Sequence, residues 1–376
     1  MMLERWAYIA LNMMPGVGPV GVRRLISALG SPAAVWSATE EELLAVRGMG
    51  EKTVGRLLRD RDTVDPEAEE QRAWAMGAMV VTPLDAEYPN QLSTLHDPPL
   101  VLYVRGSLEA SDARSVAVVG SRSASAYGLA TADRLGYQLG QCGWTVVSGL
   151  ARGIDTAAHR GALKGGGRTV AVLGCAIDRL YPAESEGLAE EIVRQGAVVS
   201  EYPLGREADR QTFPYRNRIV SGLSLGTVVV ESDRKGGSMH TADAAMEQGR
   251  SVFAVPGRVD LPGARGPHYL LKNGARLVES AEDVLAEFEF EMPALVAAEG
   301  TLPARVEVVL SPEERRVVEA LWQAPLQVDE VARACSLSSA LLSGILLSLE
   351  MKRVLRSLPG GVVELRSEIR NLKEVE

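Results

Sequence analysis

Four segments of this chain combine glycine turns with hydroxyl, amide or cationic side chains, in an order that suits an anion. The first is Gly120-Ser121-Arg122-Ser123-Ala124-Ser125, which follows the apolar run SVAVV and opens a helix-like stretch. The second, Ser148-Gly149-Leu150-Ala151-Arg152-Gly153-Ile154-Asp155, again turns on glycine before a helix. The third is Phe213-Pro214-Tyr215-Arg216-Asn217-Arg218, and the fourth is Lys235-Gly236-Gly237-Ser238 after the run GTVVV. Backbone N–H groups at a helix start, with small residues that let an anion approach, make a phosphate seat. Arginine pairs with phosphate and stacks on bases, lysine adds a point charge, and Phe213 or Tyr215 offers a stacking face. The competing readings are structural: connecting turns, a capped helix start, a solvated charge pair and a surface lysine. Asp155 and His159 stand one helical turn apart, as an acid/base pair would, but the preferred roles are helix capping for Asp155 and packing for His159.

The chemistry expected is binding rather than catalysis. A dinucleotide fingerprint GxGxxG is missing. Cys142, Cys175 and Cys335 are scattered, as are the four histidines, so no metal site, disulfide framework or cofactor is expected. The formal net charge of -9 excludes a protein coated in basic charge. A local cationic groove remains compatible with it, because phosphate contact depends on the local field. The start of the chain lacks a secretory cleavage pattern and no apolar run is long enough to span a membrane, so the expected location is cytoplasmic, with no membrane partner.

Elements must carry these segments to one place. Between Gly77 and Phe290, nine short apolar runs alternate with amphipathic stretches: MVVTPL, LVLYVRG, SVAVVGS, TVVSGL, TVAVLGC, AVVSEYP, GTVVVES, SVFAVPG and ARLVES. Continuous valine-rich runs followed by helices predict an α/β fold, a doubly wound, extended Rossmann-like parallel sheet covered on both faces. Its ligands bind beyond the carboxyl ends of the strands, which would line up Arg122, Arg216, Arg218 and Lys235 as a groove for a single nucleic-acid strand. The expected organisation is a helical domain over 1–62, the Rossmann-like domain over 63–290, a linker over 291–308, a winged-helix domain over 309–366 and a tail over 367–376. In the first of these, Pro15-Gly16-Val17-Gly18 and Arg47-Gly48-Met49-Gly50 each open an amphipathic helix, a tandem helix-hairpin-helix or SAM-like pattern. Those glycines either admit a phosphate or only make turns. The C-terminal helix from about Ser338 is rich in leucine and serine and carries cations only at Lys352 and Arg353, a poor surface for reading bases. Protein contact or auxiliary backbone binding suits it better than a regulator's sequence-specific duplex binding.

The ordered blocks GSRSASAYG, SGLARGIDTAAHRGAL, AVLGCAIDRLYPAE, SEYPLG, FPYRNRIVSGLS and KGGSMHTADAAMEQGRSVFAVPG resemble the DNA-processing protein A (DprA/Smf) family over most of residues 80 to 280. The resemblance implies a non-enzymatic protein that binds single-stranded DNA, pairs into a homodimer through its Rossmann domain and loads RecA recombinase in natural transformation. It implies DNA-binding roles for Gly120, Ser121, Arg122, Ser125, Gly149, Gly153, Phe213, Arg216, Asn217, Arg218, Lys235, Gly236, Gly237 and Ser238. Leu270 and Leu271, in the looser block after VPG, are the expected dimer contact. The alternative is an enzyme similar to the lysine-decarboxylase-like phosphoribohydrolases, whose glycine loop reads PGGxGTxxE. The stretch from Lys235 to Asp243 lacks that loop's first proline, later glycine and glutamate, which leaves glycosidic hydrolysis without an obvious acid/base partner.

Overall fold

The computed structural model describes residues 2–14, 16–288, 311–322, 325–335, 337–338, 342, 344–346, 349, 354–358 and 362–365. These fall into two compact units, one ending at Phe288 and one beginning at Ser311. The expected linker and tail lie outside the described residues.

Five helices open the first unit: α1 (Glu4–Met13), α2 (Pro19–Leu29), α3 (Pro32–Ser37), α4 (Glu40–Leu44) and α5 (Glu51–Asp60). Gly16 and Gly48, at φ +89° and +91°, make the two hairpin turns. These helices do not stand apart. Ile9, Leu11, Leu25, Leu43 and Leu57 share one buried cluster with Ala171 and Val198 of the sheet. Asn12 Nδ2 also donates to the Glu201 carbonyl at 3.0 Å.

After α6 (Pro66–Ala75) the chain alternates between layers. Its elements are β1 (Ala78–Val81), α7 (Asn90–Ser93), β2 (Leu102–Gly106), β3 (Ser115–Val119), α8 (Ala126–Gln141), β4 (Thr145–Ser148), α9 (Ile154–Lys164), β5 (Thr169–Val172), α10 (Glu186–Gln195), β6 (Ala197–Ser200), α11 (Thr212–Gly222), β7 (Gly226–Val229), α12 (Gly237–Glu247), β8 (Ser251–Ala254), α13 (Arg265–Lys272), β9 (Arg276–Leu277) and α14 (Ala281–Phe288). The nine strands coincide with the nine apolar runs and form one sheet in the order β1-β2-β6-β5-β4-β3-β7-β8-β9. β3 through β7 are buried at every position because helices cover both faces. The sheet is mixed rather than wholly parallel: β2 pairs antiparallel with both β1 and β6. β3 pairs in parallel with β4 on one side and β7 on the other, so the strand order reverses between β3 and β7. That reversal opens a crevice at the carboxyl edge.

α8 and α9 lie backbone against backbone. A Cβ on Gly161 would stand 2.0 Å from the Asp133 carbonyl, and one on Gly136 2.3 Å from that of Ala158. The side chain of Ser125 caps α8 by accepting from Gly128 N, a contact whose loss costs about 1 kcal/mol.

In the second unit, α15 (Pro312–Ala320) begins in a capping box of Ser311 and Glu314, and α16 (Val328–Cys335) follows. Strands β10 (Leu326–Gln327), β11 (Leu355–Leu358) and β12 (Val362–Leu365) form an antiparallel sheet in the order β10-β12-β11. Val317, Leu321, Val331, Leu349 and Val363 make its core. Lys352 and Arg353 lie outside the described residues. No helix among the described residues is long and apolar enough to cross a membrane.

Candidate nucleic-acid interface

The loops after β3, β4 and β7 meet the first turns of α11 and α12 around a pocket of about 530 Å³ at the switch point. Its wall includes Gly120, Ser121, Arg122, Gly149, Phe213, Arg216, Asn217, Lys235, Gly236, Gly237 and Ser238, eleven of the residues singled out in the sequence. The loops hold one another in place. Ser121 N donates to the Glu231 carbonyl at 2.7 Å, and Ile154 N donates to the Ser121 carbonyl at 3.2 Å. Gly153 is required at their contact: its φ is +79°, and a Cβ there would stand 2.2 Å from the Ser121 carbonyl.

Three exposed cations line this pocket. Arg122 lies with its guanidinium 4.8 Å from the centre of the Phe213 ring. Lys235 and Arg210 face the pocket without a carboxylate partner among the described residues. Arg210 was missed in the sequence, although it stands only three positions before Phe213. α12 begins at Gly237 with no side-chain cap, and its first residues Gly237 and Ser238 line the pocket. Phe213 packs over Gly174, with the Tyr181 ring 5.7 Å away, so one aromatic face is held firmly beside Arg122.

Other expected contributors are spent elsewhere. Arg218 is buried and donates to both carboxylate oxygens of Glu201, at 2.8 and 2.7 Å, and to Asp97 at 2.7 Å. The described pocket does not include it. Arg216 borders the pocket but is buried, and its guanidinium donates to the carbonyls of Gly149 (2.9 Å) and Val172. Burial holds its pKa below the usual arginine value, against the pull of Asp155. Both residues organise the strand ends; neither presents a free charge. Ser125 turns away from the pocket, with its N and Oγ donating to the Glu231 carboxylate. The Ser238 hydroxyl donates to Ser232 Oγ at 2.8 Å. Asn217 bridges α11 to the Gly237 carbonyl at 3.3 Å.

Asp155 is not a helix cap. It sits inside the first turn of α9, and its carboxylate accepts from the N–H groups of Gly149 (3.1 Å) and Ala151 (3.3 Å), stapling the loop before the helix. Burial raises its pKa, with Arg216 opposing. His159 is fully buried, its Nδ1 2.7 Å from Thr169 Oγ1, and burial lowers its pKa to about 3. It is a neutral packing residue with no path to a ligand. Leu270 is also core, 2% exposed, so its side chain does not reach a surface; Leu271 is partly buried. The described residues contain no cluster of three or more histidines, cysteines or carboxylates able to hold a metal.

The family model for DNA recombination-mediator protein A matches residues 79–289, which contain all of this pocket. The chain belongs to the DNA processing protein A family. Models for a SAM-like helix-hairpin-helix tandem and for the DprA winged helix domain match residues 8–61 and 301–361. The chain is 31% identical to Protein Smf of Synechocystis over 95% of its own length and 98% of the relative's. The X-ray structure of DNA processing protein A from Streptococcus pneumoniae superposes with a TM-score of 0.69 at 33% identity, over 77% of this chain and all of that one. A structure of the Helicobacter pylori protein, described by its single-stranded DNA binding mode, matches with a TM-score of 0.51 at 28% identity, over 56% of this chain and 96% of that one.

Proposed function

We propose that this protein holds single-stranded DNA in the switch-point pocket and passes it to a RecA recombinase during DNA uptake and recombination, with no chemistry of its own. The observation that carries this reading is the convergence of Arg122, Arg210 and Lys235, all exposed, with the fixed Phe213 face and the uncapped start of α12. Cations and helix N–H groups track phosphates, and an aromatic face accepts any unpaired base. The single-strand binding described for the Helicobacter pylori relative supports the same reading. A hydrolase would need a carboxylate free to exchange protons. The pocket's Asp155 is buried and committed to two backbone N–H groups, and the pocket's other carboxylate, Asp233, accepts from Arg234 N, which favours binding over catalysis.

Binding is expected to fall steeply with salt, to vary little with base sequence and to favour single strands over duplex. Arg122→Ala combined with Lys235→Ala is expected to weaken single-strand binding by about 2–3 kcal/mol and to lower the salt slope by roughly one to two units. Fluorescence anisotropy across a salt series measures both, with circular dichroism confirming the fold. A folded double variant that binds as tightly as the parent at equal salt ends this reading.

The protein is further proposed to act as a homodimer. Since Leu270 is core, the surface we assign to the contact is its exposed neighbour Tyr269 together with Leu277 on the edge strand β9. An edge strand with an exposed apolar residue favours pairing with a second copy. Light scattering should give twice the chain mass, and Tyr269→Glu with Leu277→Lys should give the monomer; an unchanged dimer mass would place the contact elsewhere.

A further inference from the structure

Arg122 and Ser123 border three cavities, one of them a small space of about 120 Å³ beside Tyr181 and Phe213. Besides the switch-point pocket they form the near end of a cleft of about 570 Å³ between α8 and α9. Building on the single-strand reading above, the geometry points to this cleft as the continuation of the strand path, with Arg160 as the next phosphate contact beyond Arg122. The cleft floor is rigid, because α8 and α9 touch through glycine backbone. Leu129, 38% exposed, gives it an apolar wall on which a base can rest. Lys164 is already neutralised by Asp133 at 2.6 Å. Arg160 is exposed and has no carboxylate partner among the described residues.

The opposite exit is electrostatically different. Over Pro214 and His240 the pocket leads into a groove of about 760 Å³. Its Arg218 is spent on Glu201 and Asp97 and its exposed Arg23 donates to the Leu95 carbonyl, while Asp243 and Glu247 stand exposed. A polyanion leaving the pocket is therefore attracted toward Arg160 and repelled by Asp243 and Glu247. With two exposed carboxylates against Arg23 at that exit, the cleft between α8 and α9 is the favoured one of the two.

Oligothymidylates of two lengths test this, since a pocket-sized strand cannot reach the cleft: about 5 and about 15 nucleotides span the range of known single-strand sites. At fixed moderate salt, Arg160→Glu is expected to weaken the longer strand about fivefold and leave the shorter within about twofold, and Arg160→Lys to restore most of the loss. Arg122→Ala is expected to weaken both lengths. If Arg160→Glu leaves the longer strand unaffected while Arg122→Ala weakens both, the cleft path is wrong and the pocket reading stands. Equal losses at both lengths, or a loss from Glu247→Gln matching that from Arg160→Glu, also overturn the path. If Arg122→Ala is silent as well, the pocket reading itself fails.

Discussion

α11 and the loops after β3 and β7 bring the same kind of side chain to one edge of the sheet, under opposite conditions. Arg216 and Arg218 on α11 are buried and bonded to carbonyls or carboxylates within the protein. Arg122 and Lys235 on the loops are exposed, with no carboxylate partner among the described residues. A guanidinium in a protein interior must be fully satisfied there, and once satisfied it has little left for a ligand. A cation at a loop tip keeps its field for what arrives from solvent, weakened only by salt. The first pair therefore acts on stability and the second on binding.

The largest effect that tests this contrast is on folding. Arg218→Ala leaves Glu201 buried without its partner and is expected to cost about 3–5 kcal/mol in chemical denaturation. Arg122→Ala, at an exposed site, should stay within about 0.5 kcal/mol. Comparable losses from the two would erase the distinction between helix and loops.

A smaller effect comes from the interior next to α11. His159 has its pKa lowered to about 3 by burial, against about 6.5 in the unfolded chain. The unfolded state thus takes up a proton that the folded state refuses. The stability this represents is complete above pH 6.5 and is lost as the pH falls from there toward 3. Between pH 6.5 and 5 the loss from this group is about 2 kcal/mol. Its ring resonances should stay those of neutral imidazole down to about pH 4. Titration of His159 near 6.5 would show that this interior is open to water.

Much of the architecture was legible along the chain. Each of the nine apolar runs became a strand, and the valine-rich ones of β3 through β7 are buried at every position, as strands covered on both faces must be. The glycine turns before α8, α9 and α12 marked where backbone had to approach closely, as the contact of Gly153 with the Ser121 carbonyl bears out. The antiparallel pairing of β2, second from one edge of the sheet, was not legible, since antiparallel and parallel buried strands share one pattern.

What the chain alone determined is where phosphate-seeking residue types stand and that their loops share one sheet edge, because strand period and strand-to-helix turns are local properties. The tertiary structure alone decided which of those residues are free. Glu201 stands 17 positions from Arg218 and Asp97 stands 121 away, and no local pattern announces that they converge on it. Arg216 meets carbonyls at the ends of β4 and β5, a contact that exists only once those strands are side by side. Charge is written in the residue, but whether it is available depends on partners that folding brings from far along the chain.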